Sequence, residues 1–473
     1  MAPRSAHPIP ARLLMWQRVR EYAVPPSMIE TATARRAVGD WAGACAAARL
    51  DVDLDPHAVR ARHGTELLAR LRADLRRLAP DLLRWNMPRI APDGRLRPGL
   101  TLSLARYRAP GGPPLHLVVR TPPARADAGQ RMSLALWEGT AHAAPGSHPH
   151  PRPDRRFRLD LHRHLWDAER AGELALRCGA DGSPVPDSPW AVARWAAEAE
   201  LLLRAEGRPR GAFTVRLGAR SRAVLELVAP DDSHVPVARP LREALPPQDI
   251  AALPVLPEAA ARVLPDLELL RAGLVAAERL HPLVAAALPQ PGPPRAAAPQ
   301  PGPGDPHRVE CRGAVHRIAL RDGVLTAIDH DPAQLRREGL LVALGGPALP
   351  CLRAIDAVHR SPEALPAVRE RLAHGDVTGA LAVIEGLLGP RAVLPGGPLR
   401  EELESAAARR VDHGLFRAGL DTVRPTAGAA AEDEASRTGH ADADRRPRID
   451  RRTPPSVRAK RTNRARPRTG LTA

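Results

Sequence analysis

The spacing of hydrophobic residues changes near residue 100, and this change restricts the fold more than any other feature of the sequence. Before it, leucines recur every three or four positions, as on one face of an amphipathic helix: Leu67, Leu71, Leu75, Leu78 and Leu82. After it, hydrophobic residues alternate with mostly polar ones, as in strands with one buried face: Leu102 and Leu104, then Leu115, Leu117 and Val119, then Met132, Leu134 and Leu136, then Phe157, Leu159 and Leu161. The chain is therefore predicted to be an α+β protein with a central antiparallel sheet.

The region before the sheet, residues 28–99, is predicted to be helical. Gly39 can end one helix and Asp40 can cap the next, which predicts a helical hairpin within residues 31–49. Residues 1–27 precede the first strong helical pattern. We expect them to be a poorly ordered extension, or the product of a start assigned upstream of Met28.

The remaining boundaries follow from composition. Residues 100–288 are predicted to form an α+β domain that includes a helix near 190–205, a hairpin over 213–227 and trailing helices. Residues 289–307 contain PQPGPP and PQPGPG and are typical of a semi-rigid Pro-rich linker. Residues 308–422 are expected to form a small β-meander plus a helical domain, and residues 423–473 a disordered charged tail.

One pattern occurs twice. Arg35, Gly39-Asp40 and Gly43-Ala44 recur with the same spacing as Arg371, Gly375-Asp376 and Gly379-Ala380. Both copies are typical of helical hairpins of the tetratricopeptide kind, in which small residues allow close helix approach. Two copies 336 residues apart do not make a solenoid, which needs adjacent units.

The single lysine, Lys460, excludes several enzyme classes. Walker-type nucleotide sites and protein kinases use a lysine to hold phosphates, pyridoxal enzymes need a Schiff-base lysine, and Ser-x-x-Lys enzymes need one beside the nucleophile. Lys460 lies in the predicted tail. These classes are therefore excluded, and no cofactor is predicted.

The net charge of +17 suggests nucleic-acid association, but it is unevenly distributed. Residues 445–468 contain eleven basic residues and one acid, so +10 of the total lies there. An acidic block at 432–444 can neutralise part of it. Abundant arginine also fits a GC-rich genome. The candidate nucleic-acid contacts are Arg451, Arg452, Arg458, Lys460, Arg461, Arg464, Arg466 and Arg468.

A histidine-rich stretch from His142 to Asp167 is the candidate metal or hydrolytic site. On a strand, Asp160, His162 and His164 would share one face, as a metal site requires. Arg156 and Arg158 would lie on that face too and would repel a cation. The other histidines of the stretch are His148 and His150.

The four cysteines, Cys45, Cys178, Cys311 and Cys351, form no Cys-x-x-Cys pair. We therefore expect buried free thiols in a reducing compartment rather than a zinc ribbon. No apolar stretch is long enough for a membrane span, which favours a cytoplasmic protein without membrane contact.

Asp51, Asp53 and Asp55 begin like a calcium-binding loop. Pro56 and Arg62 occupy the positions where that loop needs glycine and glutamate. Asp55-Pro56 instead predicts the start of a helix.

The segments RRAVGDWAGACAAARLDVDLD (35–55) and HRIALRDGVLTAIDHD (316–331) resemble conserved proteins of unknown function from high-GC actinobacteria. The resemblance covers parts of the chain. It implies no activity and no functional residues.

The leading hypothesis is a non-catalytic cytoplasmic interaction or scaffold protein that binds a protein partner not yet identified. Helical hairpins, a spacer and a charged tail favour it over an enzyme. The alternatives are a nucleic-acid-associated protein acting through the arginine-rich tail, and a lysine-independent hydrolase or metal enzyme using the His142–Asp167 stretch.

Overall fold

The protein is described by a computed structural model in which residues 1–418 form one compact unit and residues 419–473 a second. The residues described are 9–107, 114–139, 152–178, 188–228, 235–288 and 307–420, without 312–313, 322–323, 328, 345, 348, 354–364 and 389–396. All elements below belong to the first unit. They confirm the predicted α+β class.

Helices dominate the first hundred residues. They are α1 (Ala11–Arg18), α2 (Pro26–Ala37), α3 (Trp41–Ala47), α4 (Pro56–Arg77) and α5 (Pro80–Trp85). Proline occupies the first turn of α2, α4 and α5, where its missing N–H is not needed. The Asp55 carboxylate accepts a hydrogen bond from the His57 N–H at 2.8 Å, so it caps α4 as predicted.

Residues 9–27 are not the poorly ordered extension that we expected. Leu13 and Met15 of α1 are buried, as is Val19 in the π-helical turn Val19–Ala23 that follows. Leu13 and Val19 share a hydrophobic cluster with Trp85 and Leu269. The segment is therefore part of the first unit.

The central sheet has the strand order β1, β6, β5, β4. The strands numbered up to this point in the chain are β1 (Leu50–Asp53), β2 (Arg89–Ile90), β3 (Arg95–Leu96), β4 (Thr101–Tyr107), β5 (Leu115–Arg120) and β6 (Met132–Trp137). Strands β4, β5 and β6 form the predicted antiparallel meander, with Leu117 opposite Leu136. Because β1 pairs parallel to β6, the sheet is mixed rather than purely antiparallel.

Residues 157–161 do not form the strand that we predicted. They lie in turns beside β4, with one isolated bridge between Ser103 and Arg158. Phe157 and Leu159 are nevertheless buried in the main core. Their alternation reflects burial of one side of an irregular segment.

A second, three-stranded sheet packs against α7. It contains β7 (Gly211–Arg216), β8 (Arg222–Val228) and β9 (Val237–Pro240). Val215 lies opposite Ala223, which confirms the predicted hairpin. The helices of this region are α6 (Leu174–Arg177), α7 (Trp195–Ala205), α8 (Pro247–Ala252), α9 (Glu258–Ala261), α10 (Pro265–Arg271) and α11 (Pro282–Ala287).

The predicted meander near residue 320 is confirmed. It comprises β10 (His307–Cys311), β11 (Ala314–Arg321) and β12 (Val324–Ala327), paired in that order. The helices that follow are α12 (Pro332–Ala343), α13 (Leu365–Ala373), α14 (Val377–Leu388) and α15 (Pro398–Arg417). No helix among the described residues is both long and apolar enough to cross a membrane.

Both copies of the repeated pattern are helical hairpins, as predicted. The turn glycines have nearly the same positive φ, 78° at Gly39 and 79° at Gly375. The aspartate that follows each glycine caps the next helix and pairs with the arginine five residues before it. The two hairpins, α2–α3 and α13–α14, are therefore stabilised by equivalent side-chain contacts.

Candidate metal centre

Cys311, His330 and Cys351 lie together although they are far apart in the sequence. Each offers one ligand atom, and these atoms lie within 4.8 Å of one another. Of the residues that the structure describes, these three form the one such group of potential metal ligands. They are the strongest candidate for a functional site.

The meander brings the three residues together. Cys311 is the last residue of β10, and His330 follows the end of β12 by three positions. Cys351 lies in a helical turn at residues 350–353, after α12. Cys311 and Cys351 share a small hydrophobic cluster with Ala327 and Leu349, which holds both ends of this segment in place.

The site is buried and its histidine is not satisfied. Cys311 and Cys351 are both 0% exposed. The Nε2 atom of His330 is buried and has no hydrogen-bond partner in the part of the chain that the structure describes. His316 stacks on the His330 ring, with 4.1 Å between centroids, and its buried Nδ1 also lacks a partner there. An unpaired buried nitrogen costs about 1–3 kcal/mol, so a ligand that binds it would relieve this cost.

The Cys351 thiol keeps its proton in the absence of a cation. Burial raises the pKa of Cys351 to about 11, and the neighbouring Cys311 adds to the effect. A metal ion would have to displace this proton, so its affinity should fall as pH falls. Two sulfurs and one imidazole nitrogen are a donor set that suits Zn²⁺, with a fourth position for water or another group.

The predicted metal site at Asp160, His162 and His164 is not formed. His162 and His164 lie in a turn and a 3-10 segment, not on a strand. The ring nitrogens of His162 lie 2.8 Å from the Arg158 carbonyl oxygen and 3.1 Å from Glu198. Asp160 pairs with the Arg158 guanidinium at 2.8 Å. These contacts occupy both ring nitrogens of His162 and the Asp160 carboxylate, whereas the buried Nδ1 of His164 has no hydrogen-bond partner among the described residues.

Glu198 is the centre of this histidine region. It accepts hydrogen bonds from Arg177 at 2.6 Å and Arg194 at 2.5 Å, in addition to its contact with His162. Burial opposes its ionisation, but the bonds to His162 and Arg177 outweigh burial and hold the pKa of Glu198 below its usual value. Burial and nearby arginine lower the pKa of His164 well below 6.5. The region is thus an ion-pair network that joins the 158–177 segment to α7.

Asp51 and Asp53, the first two aspartates of the sequence that begins like a calcium-binding loop, form ion pairs with arginines. Asp51 pairs with Arg131 and with Arg417 of α15, the latter at 2.9 Å. Asp53 pairs with Arg417 at 2.6 Å. These aspartates therefore fix the C-terminal helix against β1.

Several predicted site residues lie outside the described part of the chain. They are His142, His148 and His150, and the tail residues Arg451, Arg452, Arg458, Lys460, Arg461, Arg464, Arg466 and Arg468. The Pro-rich linker, apart from His307, also lies outside it.

Sequence reasoning missed the cysteine and histidine cluster. Its members are separated by 18 and 20 residues, so no local metal-binding motif exists. The available signal was the position of Cys311 and His330 near the two ends of a predicted meander.

Comparisons with protein-family models, with curated proteins and with solved structures find no match to this chain.

Proposed function

We propose that the protein is a non-catalytic, zinc-binding interaction protein. The observation that carries the proposal is the convergence of Cys311, His330 and Cys351 within 4.8 Å. The zinc ion would join β10, the turn after β12 and the helical turn at 350–353.

A structural ion fits the site better than a catalytic one. Three protein ligands leave a fourth position, as in catalytic zinc sites, but a catalytic site must also open that position to a substrate. Both cysteines here are fully buried. The energy of binding the ion would therefore stabilise this small segment, whose hydrophobic cluster is limited.

The position of α12 supports an interaction role. The helix lies between two of the ligands, since His330 precedes it and Cys351 follows it. Its C-terminal part exposes leucines to solvent, with 66% exposure at Leu340 and 87% at Leu344. An ion that fixes both flanks would hold these leucines ready for an apolar surface on a protein partner.

Metal analysis tests the zinc site. Full-length protein purified without chelators should contain about one zinc ion per chain, because the site holds one set of ligands. Cys351→Ser should remove the ion. Cys45→Ser is the matched control, since Cys45 is also buried but lies in the main core, and it should keep the ion.

Two results would refute the site. One is wild-type protein that lacks stoichiometric metal when its thiols are reduced. The other is a Cys351→Ser variant that retains as much zinc as the wild type. A disulfide between Cys311 and Cys351 in freshly purified protein would assign the pair to redox chemistry instead.

The interaction role has a separate test. Tagged protein is purified from its native host with nuclease, and partners are identified by mass spectrometry. A genuine partner should be lost from Leu344→Asp and kept by Leu176→Asp, a matched control with a leucine that is 78% exposed elsewhere. Equal recovery of the partner with both variants would show that it does not bind at α12.

A further inference from the structure

A second unexplained group of side chains surrounds His374, where the C-terminal hairpin meets the N-terminal half of the unit. His374 is 0% exposed, and its carbonyl oxygen accepts a hydrogen bond from Arg49 at 2.6 Å. The next residue, Gly375, packs closely on Gly129. A Cβ added to Gly375 would lie 2.1 Å from the Gly129 carbonyl oxygen. The His374 imidazole is therefore buried next to a close contact between two backbone segments.

Two buried arginines lie in this region without acidic partners. Arg84 is 0% exposed and donates to the carbonyl oxygens of Ala23 and Gln130, at 3.0 and 2.6 Å. Arg89 is 8% exposed and donates to the carbonyl oxygens of Gly94 and Arg84. Within the described part of the chain, carbonyl oxygens alone meet these two charges.

Other cations nearby pair with two carboxylates of this region, and a third carboxylate, that of Glu370, lies 4.0 Å from Nε2 of His374. Arg95 pairs with Asp127 at 2.6 Å. Asp376 is shared by Arg49 and Arg371, at 3.4 and 2.7 Å. No carboxylate in these pairs is left over for Arg84 or Arg89.

The excess positive charge acts on His374 and on Arg84. Burial, and then the charges of Arg89, Arg84, Arg49 and Arg95, lower the pKa of His374 to about 3. Burial and the neighbouring arginines lower the pKa of Arg84 well below its usual value. The arrangement is therefore unfavourable unless a negative charge enters it.

Unused donors show which kind of anion fits. Nη2 of Arg84, Nε of Arg89 and Nε of Arg95 are buried and have no hydrogen-bond partner among the described residues. Both ring nitrogens of His374 also lack partners among the described residues, and the neutral ring can donate a hydrogen bond from one of them. Guanidinium groups bind phosphate oxygens with charge-assisted, often bidentate hydrogen bonds, and a tetrahedral oxyanion offers enough acceptors for several donors.

We propose that Arg84, Arg89, Arg95 and His374 bind a phosphate group, either as inorganic phosphate or as the terminal phosphoryl group of a small molecule. Because His374 comes from the α13–α14 hairpin and the arginines from the N-terminal half, the bound anion would link the two. This site is independent of the proposed zinc centre.

The bound anion is sought first in the purified protein. Protein exchanged into phosphate-free buffer is denatured in acid, and the extract is assayed for inorganic phosphate and analysed by mass spectrometry for phosphorylated metabolites. A stoichiometric amount of either supports the site and identifies the source. If neither is found, calorimetric titration with inorganic phosphate at constant ionic strength should show saturable binding.

Variants connect the binding to the cluster. Arg89→Gln should weaken phosphate binding at least tenfold, or remove the co-purified anion. Arg60→Gln, at an exposed position in α4, changes the net charge equally and should bind as the wild type does. If Arg89→Gln fails to fold, Arg95→Gln takes its place, since Arg95 is a proposed ligand whose side chain is 36% exposed.

Two outcomes overturn the proposal. The first is the lack of both co-purified anion and saturable phosphate binding in wild-type protein. The second is binding that Arg89→Gln, or Arg95→Gln in its place, weakens no more than Arg60→Gln does.

Discussion

At the scale of single residues, the two hairpin glycines offer a matched comparison. Gly39 and Gly375 have nearly equal positive φ, but a Cβ at Gly39 would meet no atom within 4 Å, whereas a Cβ at Gly375 would collide with the Gly129 backbone. Alanine in the left-handed region costs roughly 1–2 kcal/mol at either position. We expect Gly39→Ala to reduce the free energy of unfolding by only this amount.

Gly375→Ala should lose clearly more, because the hairpin must also move away from Gly129 and from the Arg49 bond to the His374 carbonyl. Denaturant unfolding of both variants, monitored by circular dichroism, measures the difference. Equal losses of unfolding free energy would show that this hairpin is not packed on Gly129 in solution.

Residue chemistry also shows why the sequence indicated some contacts and hid others. Asp40 and Asp376 act within five residues of their own position, and so the local pattern predicts them. Cys311 and His330 meet only after the β10–β12 meander has formed between them, and Cys351 joins them only after α12. His162 was misassigned because its neighbours were taken for a strand, whereas its real partner, Glu198, lies 36 residues away.

At the scale of elements, hydrophobic spacing predicted the helices and hairpins that pair with their neighbours in sequence. The β7–β8 hairpin and the β10–β12 meander are of this kind. Strand β1 was missed because it is four residues long and follows a helix, and its parallel partner β6 begins about 80 residues later. Such pairing is set by tertiary contacts that a local pattern does not contain.

Helix α15 shows how distant elements are joined in this fold. Arg417 pairs with Asp51 and Asp53 of β1, and His413 lies 2.9 Å from the Ala126 carbonyl oxygen. The sequence predicted a small β-meander plus a helical domain over 308–422. Ionic contacts such as these place α15 against β1 within the first unit, and their residues lie more than 280 positions apart.

At the scale of the whole molecule, buried neutral histidines should make the fold sensitive to acid. Burial and neighbouring cations lower the pKa of His116 to about 4 and of His374 to about 3, and they lower the pKa of His164 well below 6.5. The unfolded chain takes up a proton on each of them near pH 6.5, whereas the folded chain does not. The contribution of these histidines to the free energy of unfolding is therefore fully present above about pH 6.5 and is lost as the pH falls below it.

Two carboxylates extend the loss to lower pH. Burial opposes the ionisation of Asp51, but its contacts with His413, 3.8 Å away, and with Arg131 outweigh burial and hold the pKa of Asp51 below the usual value. Glu198 is held down in the same way by His162 and Arg177. These groups protonate in the unfolded chain first, and so they add a further loss below pH about 4.

The unfolding free energy should decrease by up to about 1.4 kcal/mol per pH unit for each buried histidine as pH falls from about 6.5 to 4. Replacing one of these histidines should reduce the slope of the unfolding free energy against pH by up to about 1.4 kcal/mol per pH unit. His374→Gln tests this in phosphate-free buffer, with His57→Gln, at an exposed position, as the control. Denaturant unfolding at several pH values measures each slope. A His374→Gln slope equal to that of the wild type would mean that His374 is protonated in the folded protein, and would contradict the enclosed cationic environment on which the phosphate site depends.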